Sequence, residues 1–277
     1  MTATIFDPRP CLLGEGAFWH PARQQFFWFD ILNRKLMSLD SHWGFDEMVS
    51  AAGWVDYDHL LIASETQLFR FNLETGHRDK LADLEADLPQ NRSNDGRADP
   101  KGGFWIGTMG KNAEAQSGAF YRFYKGELRK LFGDLTITNS CCFAPDGSRA
   151  YFSDTAQGIV YQVTLDGDGW PVAEPQELLD FSGRSNPDGA VTDAGGNLWI
   201  AFWGRGCVEG FDLTGKSIGI ANFPASQTSC PAFGGKDYDQ LFCTSAAVGL
   251  DPVDRHDGQV FRTEAPVTGR AEPQVLL

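Results

Sequence analysis

"DAGGNLWIAFWGRGCVEGFDLTG", residues 193–215, decides the fold. A turn signal, DAGGN, leads into an apolar stretch around Trp199. Glycines at 204 and 206 then break the chain, a half-apolar stretch follows, and a second turn closes the unit. Short apolar runs rich in aromatic and β-branched residues, punctuated by Gly and Asp, read as a β-hairpin. The question is whether this hairpin stands alone or repeats.

It repeats. Apolar stretches of the same kind are "QFFWFD" around Trp28, "HLLIAS" around Leu61, "GFWIGT" around Trp105, "RAYFSD" around Phe152 and "QLFCTS" around Phe242. They recur once per 33 to 47 residues, a period close to that of propeller blades. After them come "RKLMSLD", "TQLFRFNL", "GAFYRFYKG", "GIVYQVTLDGDG" and "GQVFRTEA", each a second strand. "DPKGG" and "APDGS" supply turns before two of them, as DAGGN does here. Each unit reads as strand, turn, apolar strand, turn, half-apolar strand and a variable outer strand. Six such units predict an all-β, six-bladed β-propeller forming a single domain over residues 1–277. A two-sheet sandwich would account for the strands but not for the even period. "DKLADLEADL" alone has leucines at helix-like spacing and reads as a helical turn or as an outer strand with its loop.

Composition agrees. The chain has 21 Phe, 8 Trp, 31 Gly and 14 Pro among 277 residues, a mixture for strands and tight turns rather than helices. Its 37 acids against 23 Lys plus Arg give a formal charge of −14. That field repels a phosphate backbone, so no nucleic-acid partner is expected. No basic amphipathic stretch or long apolar run points to a membrane. The N-terminal "MTATIFDPRPCLLGEG" has no cationic start before an apolar run, so no signal peptide is expected. Cys11, Cys141, Cys142, Cys207, Cys230 and Cys243 show no CxxC spacing, and reduced thiols in a cytoplasmic protein are the expectation. The five histidines form no HExxH, and neither a GxSxG elbow nor a strand–GxGxxG–helix is present.

In a propeller the first strand of each blade lines the channel, and its starting end opens on one mouth. Counting back 13 residues from Trp28, Phe152 and Phe242 reaches Glu15, Asn139 and Ser229; counting back 11 from Trp105 and Trp199 reaches Asn94 and Asp188. Taken singly, each is a turn residue as readily as a ligand. Taken together, they put oxygen-bearing side chains on one ring, the donor set of a hard cation. Asn94 brings Arg92 to the same mouth, where its donor fork suits an oxygen-rich ligand. By the same count Asp95 points away and is structural.

"GEGAFW" (14–19), "NRSNDGRADPKGGFWIGTM" (91–109), "ITNSCCFAPDGSRAYFSDT" (137–155), "NPDGAVTDAGGNLWIAFWGRG" (186–206) and "TSCPAFGGKDYDQLFCTSA" (228–246) together resemble, in order, the SMP-30/gluconolactonase family. The resemblance implies a six-bladed propeller that hydrolyses a sugar-acid lactone with one divalent cation in the channel. The cation would be Ca²⁺, Zn²⁺, Mn²⁺, Mg²⁺ or Fe²⁺. Carried over to this chain, it makes Glu15, Asn139 and Asp188 the metal ligands and sets Arg92 and Asn94 on the substrate. Glu114, in "NAEAQSGAFYRF", matches a further substrate-side carboxylate. The family's usual Gly after the ligand Asn is Ser140 here, with Cys141 and Cys142 behind it; alternation turns Cys141 toward the channel side, where it would narrow the pocket, and both cysteines read as small, buried strand residues ahead of a redox or metal pair. Asp188 is the expected general base, with water activated by the cation as the other route to the same proton transfer. Trp203 is either an apolar wall of the pocket or a core residue. The partner expected is a small neutral sugar lactone, and the chain a monomer or weak oligomer. Another metal-dependent ester or phosphoester hydrolase, or a non-catalytic calcium-binding propeller, remains the alternative.

Overall fold

The apolar stretches do become strands, and each pairs with the segments on either side of it. A computed structural model describes residues 2–277, with no helix among them. Six four-stranded antiparallel sheets form. The six sequence anchors fall in the second strand of each, at Gln25–Asp30, His59–Ser64, Phe104–Gly110, Arg149–Asp154, Leu198–Trp203 and Gln240–Ser245. The first strands, Gly14–His20, Val49–Trp54, Asn91–Ala98, Thr138–Phe143, Asn186–Thr192 and Thr228–Gly234, pack against one another in a ring. This is a six-bladed β-propeller. The first half of "DKLADLEADL" lies in Arg78–Asp83, the outer strand of the second blade, rather than in a helical turn.

Apolar residues accumulate between the blades, not within one central core. Six buried clusters each join two neighbouring sheets. Trp28, Trp105 and Trp199 are fully buried within them or beside them. This follows from the sheet itself: both faces of a middle strand meet a neighbouring blade, so both alternating side-chain sets must be apolar. That is why the second strands read as continuous apolar runs.

The ring closes by a strand that the sequence reading leaves unassigned. Thr4–Asp7, at the N-terminus, is the outer strand of the last blade, paired antiparallel with Val260–Glu264. After that strand the chain crosses the far ends of the inner strands. Gly269 N–H donates to Tyr238 O, Arg270 Nη2 to Phe143 O, Val275 N–H to Trp54 O and Leu276 N–H to Gly102 O. The tail thus closes one end of the channel and leaves the other open. Within it Glu272 pairs with Arg97 of the third blade's inner strand, their side chains only 9% and 5% exposed. Arg97 Nε also donates to Cys141 O at 3.2 Å.

Removing one partner of a buried pair leaves a desolvated charge, at a cost of about 3–5 kcal/mol. Glu272→Ala should lose that much unfolding free energy in urea, whereas the double variant Arg97→Met/Glu272→Leu should recover most of it. Equal stabilities of Glu272→Ala and the parent chain would show that the tail contributes little to holding the ring.

Candidate active site

At the open mouth the start of each inner strand lies beside the end of each second strand, because the two are antiparallel. Every inner strand also carries a bulge there. Pairing shifts between Glu15 and Phe18, Val49 and Ala51, Ser93 and Gly96, Asn139 and Cys142, Pro187 and Ala190, and Thr228 and Pro231. A bulge inserts an unpaired residue, kinks the strand and re-aims its side chains.

The bulges correct the count made from the sequence. Glu15 and Asn139 are the last paired residues before their bulges, opposite Phe29 and Ser153. Asn94, Asp188 and Ser229 sit one residue further, inside theirs, after Ser93, Pro187 and Thr228. The five are therefore not at one repeat position but at two adjacent ones. Turn lengths differ between blades, and a linear count cannot see a bulge. In Glu15's and Asn139's strands the next residue is left-handed, Gly16 at φ 57° and Ser140 at φ 56°. A Cβ on Gly16 would lie 2.1 Å from Ser50 O, so only glycine fits. Ser140 is tolerated because its hydroxyl donates to Asp188 O and accepts from Ser153 Oγ.

Glu15, Arg92, Asn94, Asn139 and Asp188 line the floor of one cavity of about 460 Å³. Arg92 lies in the inner strand itself, not in a loop, and is nearly buried. Its Nη1 donates to Ser93 O at 2.9 Å and to Asn94 Oδ1 at 2.7 Å. Asn94 Nδ2 donates to Thr138 O at 2.7 Å and Asn139 Oδ1 at 3.0 Å. Asn139 Nδ2 in turn donates to Thr155 Oγ1 at 2.8 Å. This chain orders the two amides so that Asn139 presents its oxygen rather than its nitrogen to Asn94.

The electrostatics of the floor are strained. Burial first, then the nearby Asp95 charge, pushes Glu15 up to about 8, with Arg92 pulling the other way. Burial, then Glu15 itself, raises Asp188 well above the usual carboxylate range. Desolvation lowers Arg92 to about 10 even though both acids favour its charge. Two carboxylates against one guanidinium leave the floor short of positive charge. Among the described residues no three His, Cys, Asp or Glu side chains gather in metal-holding geometry; the set here is two carboxylates and an amide.

Other sequence expectations fall elsewhere. Ser229 does not line the cavity; its hydroxyl donates to Gly14 O and contacts Thr244 Oγ1. Glu114 is exposed, outside the lining, and accepts from the Asn112 N–H at 3.1 Å and Asn112 Nδ2 at 2.9 Å. Cys141 does not narrow the pocket: it is fully buried in the cluster between the third and fourth blades, because the bulge breaks the alternation that would turn it inward. Asp95 is likewise outside the lining and accepts from the Cys141 N–H at 2.7 Å. All six cysteines are free and buried. Trp203 does line the cavity. The sequence reading missed Lys111, Thr155 and Asn186, which line it too. Their signal was positional, since Lys111, Thr155 and Trp203 all lie at or just past the end of a second strand.

Comparison with known proteins gives a consistent answer. The family model described as "SMP-30/Gluconolactonase/LRE-like region" matches residues 13–247. A Rhizobium meliloti (strain 1021) protein carrying a provisional sugar lactone lactonase name is 38% identical, with 96% of this chain and 94% of that protein covered. L-arabinolactonase of Azospirillum brasilense is 32% identical over 97% of this chain and 94% of its own. Among solved structures, a calcium-binding protein, regucalcin, from Agrobacterium tumefaciens str. C58 superposes with a TM-score of 0.97 at 40% identity, covering 100% of this chain and 98% of that one. The chain belongs to the SMP-30/gluconolactonase/LRE-like family.

Proposed function

We propose that this protein hydrolyses a sugar-acid lactone to the open-chain acid, with one divalent cation held by Glu15, Asn139 and Asp188. The observation that carries the reading is the shared floor: two desolvated carboxylates, an oriented amide oxygen and a guanidinium with an unspent edge. The lactonase names of the relatives support it.

The donor set fits such a cation. Hard divalent ions take carboxylate and amide oxygens. Asn139 Oδ1 keeps a lone pair beyond the one Asn94 takes. Burial first, and neighbouring carboxylates second, disfavour the charged forms of Glu15 and Asp188, a penalty that an added opposite charge would offset. When bound, the cation supplies Lewis-acid polarisation of the lactone carbonyl and draws both carboxylates back to their charged forms.

The chain's own residues do the rest. Arg92 is fixed by Ser93 O and Asn94 Oδ1, so its free edge is pre-aligned for substrate oxygens. Asn94 acts mainly through Arg92 and Asn139, since both ends of its amide are engaged. Asp188 accepts the proton of the attacking water as the new acyl C–O bond forms. The ring acyl C–O bond then breaks, and the same proton passes to the departing ring oxygen. Water ends up divided between the carboxyl group and the freed hydroxyl.

Three measurements test this. The chelated protein should melt higher when a divalent cation is restored; Glu15→Gln should lose that gain yet melt no lower than the parent without metal, since one of two crowded carboxylates is gone. An undiminished gain would remove Glu15 from the ligand set. Asp188→Asn should abolish turnover of aldonolactones, while Asn94→Ala should lower kcat by a smaller factor. A near-normal kcat in metal-loaded Asp188→Asn would refute the base assignment. Arg92→Ala should lower kcat/KM about ten- to a hundredfold, the loss of a charge-assisted hydrogen bond worth roughly 1.5–3 kcal/mol. Its metal-loaded melting temperature should fall as well, because Ser93 O and Asn94 Oδ1 lose their donor; unchanged kinetics in the folded variant would make Arg92 a structural residue. A protein that binds Ca²⁺ but turns over no member of an aldonolactone panel would be a calcium-binding propeller instead.

A further inference from the structure

The cavity has two unlike tiers. Its floor is the polar set at the starts of the inner strands. Above it Leu13, Leu32, Met109, Ile137, Trp203 and Val248, drawn from five blades, form an apolar collar. Leu13 and Met109 are buried, and the other four are half-buried.

The collar's polar groups are mostly spent. Lys111 Nζ pairs with Glu65 Oε2 at 2.6 Å and donates to Pro89 O at 2.9 Å. Thr155 Oγ1 donates to Pro187 O at 2.6 Å and accepts from Asn139. Among the described residues lining the cavity, the free edge of Arg92, the exposed Asn186 amide, the third Lys111 N–H and the Trp203 indole N–H remain for substrate hydroxyls beyond the proposed ligands, while Leu13, Leu32, Met109, Ile137 and Val248 offer no donor. A hydroxyl set against such a collar gives up water without a replacement hydrogen bond, whereas a methyl group gains by leaving water.

We infer that the preferred substrate is a deoxyaldonolactone: its lactone carbonyl and ring hydroxyls meet the floor, and its terminal carbon is a methyl group seated in the apolar collar, where a hydroxymethyl group is disfavoured. The inference rests on the lactonase reading and narrows its substrate class. Leu32 and Val248, which pack on one cluster and carry no polar side-chain atom, are the specificity-determining residues, facing the substrate's end remote from the carbonyl.

The test uses matched pairs: L-galactonolactone against its 6-deoxy form, and L-mannonolactone against its 6-deoxy form. The metal-loaded full chain should show kcat/KM higher for the deoxy member by roughly ten- to a hundredfold, the range a hydrophobic pocket achieves for one small group. Leu32→Asn and Val248→Asn should each shrink that ratio toward one, mainly by raising KM for the deoxy member. Binding of the corresponding non-hydrolysable lactams, measured by calorimetry, should show the same ordering. A ratio near or below one in the parent chain, with lactones turned over, would overturn the inference and leave the lactonase reading standing. No turnover of any lactone would overturn the lactonase reading, and the lactam pair would then decide the collar's preference alone.

Discussion

Six inner strands have to meet around one axis, and they meet closely enough that their side chains bond across blades. Ser50 Oγ reaches Ser93 Oγ at 2.8 Å, Asn94 reaches Thr138 O and Asn139, Ser140 reaches Asp188 O, and Ser229 reaches Gly14 O. Where even a small side chain would not fit, at Gly16 beside Ser50 O, glycine stands. Each buried hydrogen bond adds only about 1 kcal/mol net, but leaving its donor unpaired costs about 1–3. The ring is therefore specific as well as stable. The same bonds fix the floor of the cavity: Asn139 is held by Asn94 and Thr155, and the backbone of Asp188 by Ser140. The site takes its geometry from ring closure.

The two ends of the channel then differ in kind. At the closed end, Arg97 has Glu272, and Asp95 beside it has the Cys141 N–H; burial still pushes Asp95 up to about 6, although Arg97 pulls it down. Charges there find partners within the chain. At the open end Glu15 and Asp188 share one cation, Arg92, and Glu15 also accepts from the Gly16 N–H. The inner lining thus pairs its charges at one end and leaves two desolvated carboxylates lining the cavity at the other.

How far this was legible in the sequence depended on how local each signal was. The second strands were plain, since both faces are buried and the run stays apolar. The blade count followed from their period. Glu15, Arg92, Asn94, Asn139 and Asp188 were singled out along the chain, and the structure places them in one cavity. Their register was not, because a bulge and unequal turns alter the count by one without altering composition. Thr4–Asp7 has half its pattern exposed and pairs with residues at the other end of the chain, so nothing nearby marks it. Glu114 sits in a loop whose path is set by its own Asn112 and Gly110 neighbours, which motif matching does not register. Lys111 and Thr155 join the site through the antiparallel neighbour, a relation visible only once the strands are paired.

The closing strand also sets a schedule for synthesis. Thr4 and its partner Arg262 are separated by 258 residues along the chain. At roughly 5–20 residues per second the ribosome needs on the order of ten seconds or more to make that interval. Until then the first strand has no mate and the last blade does not exist. Its four residues offer little edge for a stray chain to join. The nascent protein thus grows as an open arc, and becomes a ring only after its last strand has left the ribosome.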